Sequence, residues 1–212
     1  RSLRGAVAPR VVLAPLRDPR VAFLVGLAGA GSFVWQATAA FLPTFLVRTY
    51  GLGTTTAGAL LSVFFVTLAV ATPASGSLSD RVRRDAAARA VMTVGVAGFA
   101  VLVLGSSLPA AVAGAVLVGV GMAWPAPVES RMLDAFPAAE RGRGFGVARG
   151  VYLLVGALGS VAAGALADLV GWTGAFSALG GLLVVLVALV ALDHVRSRVG
   201  VDAGESQRRT VE

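Results

Sequence analysis

Gly76-Ser77-Leu78-Ser79-Asp80-Arg81-Val82-Arg83-Arg84 closes one apolar run, Thr56–Ser77, and precedes another, Ala88–Ser107. Each run is about 20 residues long. At ~1.5 Å per residue a helix of that length crosses a hydrocarbon core of ~30 Å. The arginines between them cannot follow into lipid, so the stretch is a loop between two membrane-spanning helices. Outward from it the pattern repeats. Four further apolar runs occur, Val21–Val47, Ala110–Arg131, Phe145–Ala167 and Trp172–Leu192. The expected fold is therefore all-α: a polytopic membrane protein whose six transmembrane helices form one bundle.

The arginines orient these spans. The leader holds Arg1, Arg4, Arg10, Arg17 and Arg20, and the loop after the second span holds Arg81, Arg83, Arg84 and Arg89. Arg131, Arg141, Arg143 and Arg149 gather around the loop after the fourth span, and Arg196, Arg198, Arg208 and Arg209 lie in the tail. The remaining loops hold Arg48 alone, so seventeen of the eighteen basic residues fall on one side. The positive-inside rule places that side, and both termini, in the cytoplasm. This predicts a cytoplasmic basic linker over residues 1–20, a transmembrane bundle over 21–192 and a disordered cytoplasmic tail over 193–212.

Composition supports a membrane protein. The chain is 57% hydrophobic and 14% charged, too little polar surface to cover a soluble domain of 212 residues. A net charge of +7 raises nucleic acid as a partner, but the arginines sit in short loops rather than on one soluble face. Anionic lipid headgroups are the better partner, and none is expected among nucleic acids. With no cysteine there is no disulfide, thiolate or cysteine–metal site. His194, the one histidine, reads as a solvated residue at the interface. No catalytic residue, metal site or cofactor is expected, and the scarcity of histidine and mid-membrane carboxylate argues against an enzyme. No signal peptide is visible, and a chain opening on Arg1 is expected to be a fragment or a processed product.

Within the first span Gly29, Ser32, Gln36, Ala39 and Pro43 are spaced to form one small-and-polar stripe, with Trp35 and Thr38 off it. The short turn at Ser107-Leu108-Pro109 forces the third and fourth spans to be antiparallel neighbours. Pro125 and Pro127 should break the second half of the fourth. Two ladders in the fifth, Gly142, Gly146, Gly150 and Gly156, Ser160, Gly164, suit close helix packing. The aliphatic sixth span is expected to be the most lipid-exposed. Glu129 and Arg131, two residues apart, do not face each other. Arg141 and Arg149 are the nearest candidate partners by topology.

These features, in this order, resemble the C-terminal half of a major facilitator superfamily transporter. The loop at Gly76–Arg84 is similar to the family's G-x-L-x-D-R-x-G-R-R motif, matching at Gly76, Leu78, Asp80, Arg81 and Arg84. It departs at Arg83, where glycine is usual, and at Asp85, where a base is usual. Gly119 to Pro125, then Phe136-Pro137-Ala138-Ala139-Glu140-Arg141-Gly142, Gly164 to Asp168 and Gly171-Trp172 resemble the family's last three helices.

The resemblance implies a secondary active transporter moving a small solute by alternating access. Its partners would be membrane lipids and an N-terminal six-helix half, in the same chain or as a separate subunit, in the cell membrane. It implies a cytoplasmic latch to the other half, formed by Gly76, Asp80, Arg81, Arg84, Glu129 and Arg141. It also implies that the first and fourth spans line a cavity, which makes Ser32, Gln36 and Trp124 the substrate-pathway candidates. An amide offers donors and an acceptor, and an indole a flat apolar face. Because no charge lies mid-span, a titrating carboxylate for proton coupling is expected outside this chain. The alternative reading is a non-transporting six-helix sensor or scaffold, which has no need of Gln36 and Trp124 facing a common space.

Overall fold

The computed structural model describes residues 17–209, with side chains from 17 to 194, and every regular element there is a helix. Asp18 caps the first, α1 (Pro19–Tyr50), by accepting from the Arg20 amide (2.7 Å), and Pro19 fills the first position, where no donor is needed. Gly51 ends α1 in the left-handed region at φ 67. After a short turn α2 (Thr54–Arg81) runs back, and α3 (Arg84–Leu104) follows the basic loop. Ser107 caps α4 (Leu108–Gly121), accepting from the Ala110 amide. Then come α5 (Pro125–Asp134) and α6 (Arg141–Arg209).

Among the described residues five stretches are long and apolar enough to cross a membrane: α1, α2, α3, α4 with α5, and Arg141–His194. Where the sequence pattern gives six spans, the last two lie in one helical stretch of 54 residues. As a single straight helix it would be about 80 Å long, far more than a bilayer core. Its backbone leaves the helix at Gly171 (φ 76, ψ 167), a conformation open to glycine.

Packing differs on the two sides of that break. Before it, Gly156 lies against Ser32, Gly159 against Phe33 and Gly164 against Phe41, so this first arm runs alongside α1 in the same direction. After it, Trp172 meets Phe41 with ring centres 5.2 Å apart, and Phe176 stacks on Phe45 at 4.0 Å. Gly180 then lies against Phe99 and Leu183 against Gly95, so the second arm runs antiparallel to α3. The chain reverses direction at Gly171.

The core lies where these arms meet α1, α3 and α4. Phe45, Phe99, Phe176, Met92 and Leu183 are fully buried there. Apolar side chains gain little by leaving lipid, so dispersion and close backbone approach hold such a bundle. At α3–α4, a Cβ on Gly121 would stand 2.2 Å from the Gly95 Cα; only glycine permits the contact. The packed ladder of the first arm is Gly156, Gly159, Ala163 and Ala167, all buried, rather than Gly156, Ser160, Gly164. Gly142, Gly146 and Gly150 have nothing within 4 Å of their Cβ positions. Tyr50 joins the far ends of α1 and α3, its hydroxyl donating to the Leu102 carbonyl (2.7 Å).

The break between α4 and α5 has a chemical cause. Pro125 and Pro127 lack the N–H groups that Gly121 and Ala123 carbonyls would accept from in a continuous helix. The Ser75 hydroxyl of α2 donates to the Ala123 carbonyl instead (2.9 Å). An unpaired carbonyl in lipid would cost several kcal/mol, so this bond fixes α2 against the break.

Burial within the chain differs among the spans. Among the described spans α2 is the least buried, with 17% of an 18-residue apolar segment buried, against 39% for such a segment in Arg141–His194. Phe65, Val66 and Val70 of α2 face outward, whereas Phe176, Leu179, Leu183, Leu186 and Val190 of the second arm point into the core. Aliphatic content does not separate the two cases, since lipid and protein interior are equally apolar. Past Asp193, where a disordered tail is expected, α6 runs on as helix to Arg209. Residues 1–16 of the expected linker, and 210–212, lie outside the described residues.

Candidate functional site

Ser32 and Gln36 project from α1 beside Trp124, which occupies the turn that breaks α4 from α5. The three line one cavity of about 280 Å3 together with Trp35, Thr72, Met122, Glu129, Arg149 and Tyr152. The proline-induced break places Trp124 here. Its ring packs on the bare backbone of Gly31, where a Cβ would stand 2.8 Å from the indole. Trp124 is 1% exposed, and its Nε1 has no hydrogen-bond partner among the described residues. Trp35, read from the sequence as lying off the polar stripe, lines the same cavity; a helix face wide enough to wall a cavity spans more than one stripe.

One end of the cavity is ionic. Glu129 of α5 accepts from the Tyr152 hydroxyl and, at 3.4 Å, from Nη1 of Arg149. Arg149 and Tyr152, three residues apart on the first arm of α6, share a helix face. The Arg149 guanidinium lies over the Phe145 ring, 5.9 Å from its centre. Glu129 is the more enclosed partner, its side chain 20% exposed against 51% for Arg149. Among the residues taken as site candidates from sequence, Ser32, Gln36, Trp124 and Glu129 meet here. Tyr152 escaped notice because its role depends on the position of α5, which the two prolines set.

A second polar cluster occupies the arginine-rich end. Asp85, in the first turn of α3, is 8% exposed and accepts from Arg131 Nη1 at 2.7 Å. Arg131 also binds Asp193 of α6, and Arg84 pairs with Asp134 while donating to the Ser130 carbonyl (2.9 Å). A carboxylate in a first helical turn suits the positive end of the helix dipole, and Arg131 completes its neutralisation. His194 is buried, 9% exposed, with Nδ1 3.6 Å from Asp85. This corrects the reading of a solvated interfacial histidine: α6 carries it inward instead of ending in a free tail.

The residues assigned by resemblance to a latch are not brought together. Glu129 lines the cavity, Arg84 pairs with Asp134, and Arg141 donates to the nearby Phe136 carbonyl (3.4 Å). Gly76 is part-buried on α2; Asp80 and Arg81 are exposed, without an ion pair among the described residues. No group of histidine, cysteine or carboxylate side chains among the described residues is arranged to hold a metal.

A larger space of about 480 Å3 lies between the start of α1 and the α5–α6 connection, lined by Asp18, Phe136, Glu140 and Arg143 among others. It sits at the charged rim. In the smaller cavity aromatic faces, an amide and an ion pair converge, the composition expected of a small-molecule site.

The sequence model described as Major Facilitator Superfamily matches residues 21–211. No curated protein matches the chain in sequence. Among solved structures, the fold is similar to the POT family transporter PepTSo, at TM-score 0.72 and 17% identity over 84% of this chain and 38% of that one. It is similar to an auto-inhibited POT family peptide transporter at TM-score 0.73 and 21% identity, over 84% of this chain and 38% of that one. The human organic anion transporter MFSD10 (TETRAN) aligns at TM-score 0.73 and 20% identity, over 90% of this chain and 48% of that one. The chain thus spans less than half the length of each of these structures.

Proposed function

The chain belongs to the major facilitator superfamily and is an integral membrane protein, and on that premise we propose that it forms the C-terminal half of a secondary transporter moving a small solute by alternating access. One observation carries this reading: Gln36, Ser32 and Trp124, from α1 and the α4–α5 break, converge on a single cavity with an ion pair at its end. A sensor or scaffold has no use for that convergence.

In this proposal the membrane is crossed six times, the reversal at Gly171 dividing α6 into two crossings. The arginine-rich end faces the cytoplasm and holds both termini, and the membrane is the plasma membrane. An N-terminal six-helix half completes the cavity, and rocking of the two halves exposes it to each side in turn. The outward-facing apolar residues of α2 supply surface for lipid or for that half. Exposed Asp80 and Arg81 are free to reach across to it as a latch, the part of the predicted latch set that makes no ion pair among the described residues.

The test is a screen of small solutes for thermal stabilisation of the full-length protein, followed by counterflow in proteoliposomes. A stabilising solute should exchange across the membrane, and Gln36→Ala or Trp124→Ala should abolish both effects. If stabilising solutes keep their effect in both variants and none exchanges, the reading fails.

A further inference from the structure

Resting on the transporter reading of the cavity, we propose its substrate class: a small organic anion, with its carboxylate-like head on Arg149 and a flat apolar body against Trp35 and Trp124. Glu129 is the counter-ion that the head displaces.

The argument starts from how the donors and acceptors at the ionic end are spent. Among the described residues Arg149 is the one basic side chain lining the cavity. A guanidinium carries five N–H donors in a planar fork. Only Nη1 is engaged with Glu129, at the long distance of 3.4 Å, and half of the side chain is exposed. The Phe145 ring beneath holds the fork in place without consuming a donor. Arg149 therefore has unspent capacity for a bidentate anion, the geometry to which guanidinium is best suited.

Glu129 is in the opposite condition. It is mostly enclosed, and both of its oxygens are already engaged, one by Tyr152 and one by Arg149. A cationic solute would have to take Glu129 from Arg149 and then lie against an uncompensated guanidinium. An anion takes Arg149 and leaves Glu129 still bonded to Tyr152. Beyond this end the wall is apolar and aromatic, formed by Leu68, Met122, Leu153 and the two tryptophans, and about 280 Å3 accommodates one ring system with its head group.

The experiment uses three solutes of one shape and different charge: phenylacetate, phenylacetamide and phenethylamine. Binding to the purified full-length protein is read from tryptophan fluorescence, and exchange from proteoliposome counterflow, for wild type, Arg149→Gln, Arg149→Lys and Glu129→Gln. Phenylacetate should bind most tightly of the three. Arg149→Gln should weaken it about ten- to a hundredfold, the worth of a charge-assisted hydrogen bond, and Arg149→Lys should weaken it less. Glu129→Gln should bind phenylacetate as tightly as wild type or more so, because it removes the competitor. That opposition in sign separates a binding role from a structural ion pair, whose two halves would fail together.

The proposal is overturned if phenylacetate does not bind, if the amide or amine binds as tightly, or if the Arg149→Gln and Glu129→Gln variants weaken phenylacetate equally. The two readings fail separately. Counterflow of phenethylamine without phenylacetate removes the anion and keeps the transporter. Tight phenylacetate binding with the expected variant pattern but no exchange keeps the anion site and removes transport.

Discussion

Replacing Gly121 with alanine should loosen the bundle at one of its closest backbone approaches. The new Cβ would stand 2.2 Å from the Gly95 Cα and 2.7 Å from its amide nitrogen. Carbon atoms pack best about 3.5–4.0 Å apart, so α3 and α4 must separate by more than an ångström. Both obstructing atoms are backbone, and no rotamer change relieves them. Such overpacking costs about 1–3 kcal/mol. The ordinary advantage of alanine over glycine in a helix, about 0.5–1 kcal/mol, offsets part of this, and less than usual because Gly121 is the last residue of α4. The net loss should be about 1–2 kcal/mol, or about 2–8 °C in melting temperature for a unit of this size. Gly146→Ala is the matched control: nothing lies within 4 Å of its Cβ position, so it should melt at or slightly above wild type. Helical circular dichroism of detergent-purified protein, followed through thermal unfolding, reads both. A Gly121→Ala protein as stable as wild type would refute the close-packed α3–α4 interface.

Three further outcomes are expected. Gly171→Ala places a side chain at φ 76 and should destabilise by about 1–3 kcal/mol; Gly181→Ala, with open space around it, should not, and equal melting of the two would argue against the reversal at Gly171. Arg131→Met strips enclosed Asp85 of its closest cation and should cost about 2–3 kcal/mol. By contrast Arg84→Gln, whose partner Asp134 is 54% exposed, should cost under about 1 kcal/mol, and the same unfolding assay ranks the pair. Asp80→Asn should shift the balance between inward- and outward-facing forms, read as spin-label distances between the two halves of the full-length protein; an unchanged distribution removes the latch.

The membrane fold was legible because charge and apolar length are one-dimensional signals. The chain turns beside both punctuating stretches, at Val82-Arg83 and at Gly105–Ser107, but helix extends further than the pattern requires: Gly76–Arg81 close α2, and Leu108 and Pro109 open α4. The prolines at 125 and 127 announced the break that seats Trp124. What the pattern could not provide was the side on which a helix is covered. An aliphatic run looks the same facing lipid or protein, so neither the buried face of the second arm of α6 nor the outward face of α2 can be read from it. Ionic partners were illegible for a related reason. Arg149 reads as one more topology-setting arginine until α5 is placed, and only then does Glu129 reach both Arg149 and Tyr152. Asp85 and His194 are 109 positions apart, and only the return of α6 along α3 joins them.

The absence of cysteine from the chain permits a direct test of the central claim. A single cysteine is introduced at Gln36, on the cavity wall, in full-length protein free of other reactive thiols. A membrane-impermeant thiol reagent is then applied to one face of the membrane at a time. Alternating access predicts labelling from each face, with conditions that raise labelling from one face lowering it from the other. Labelling confined to one face under every condition, or none from either, would contradict a transport pathway through this cavity.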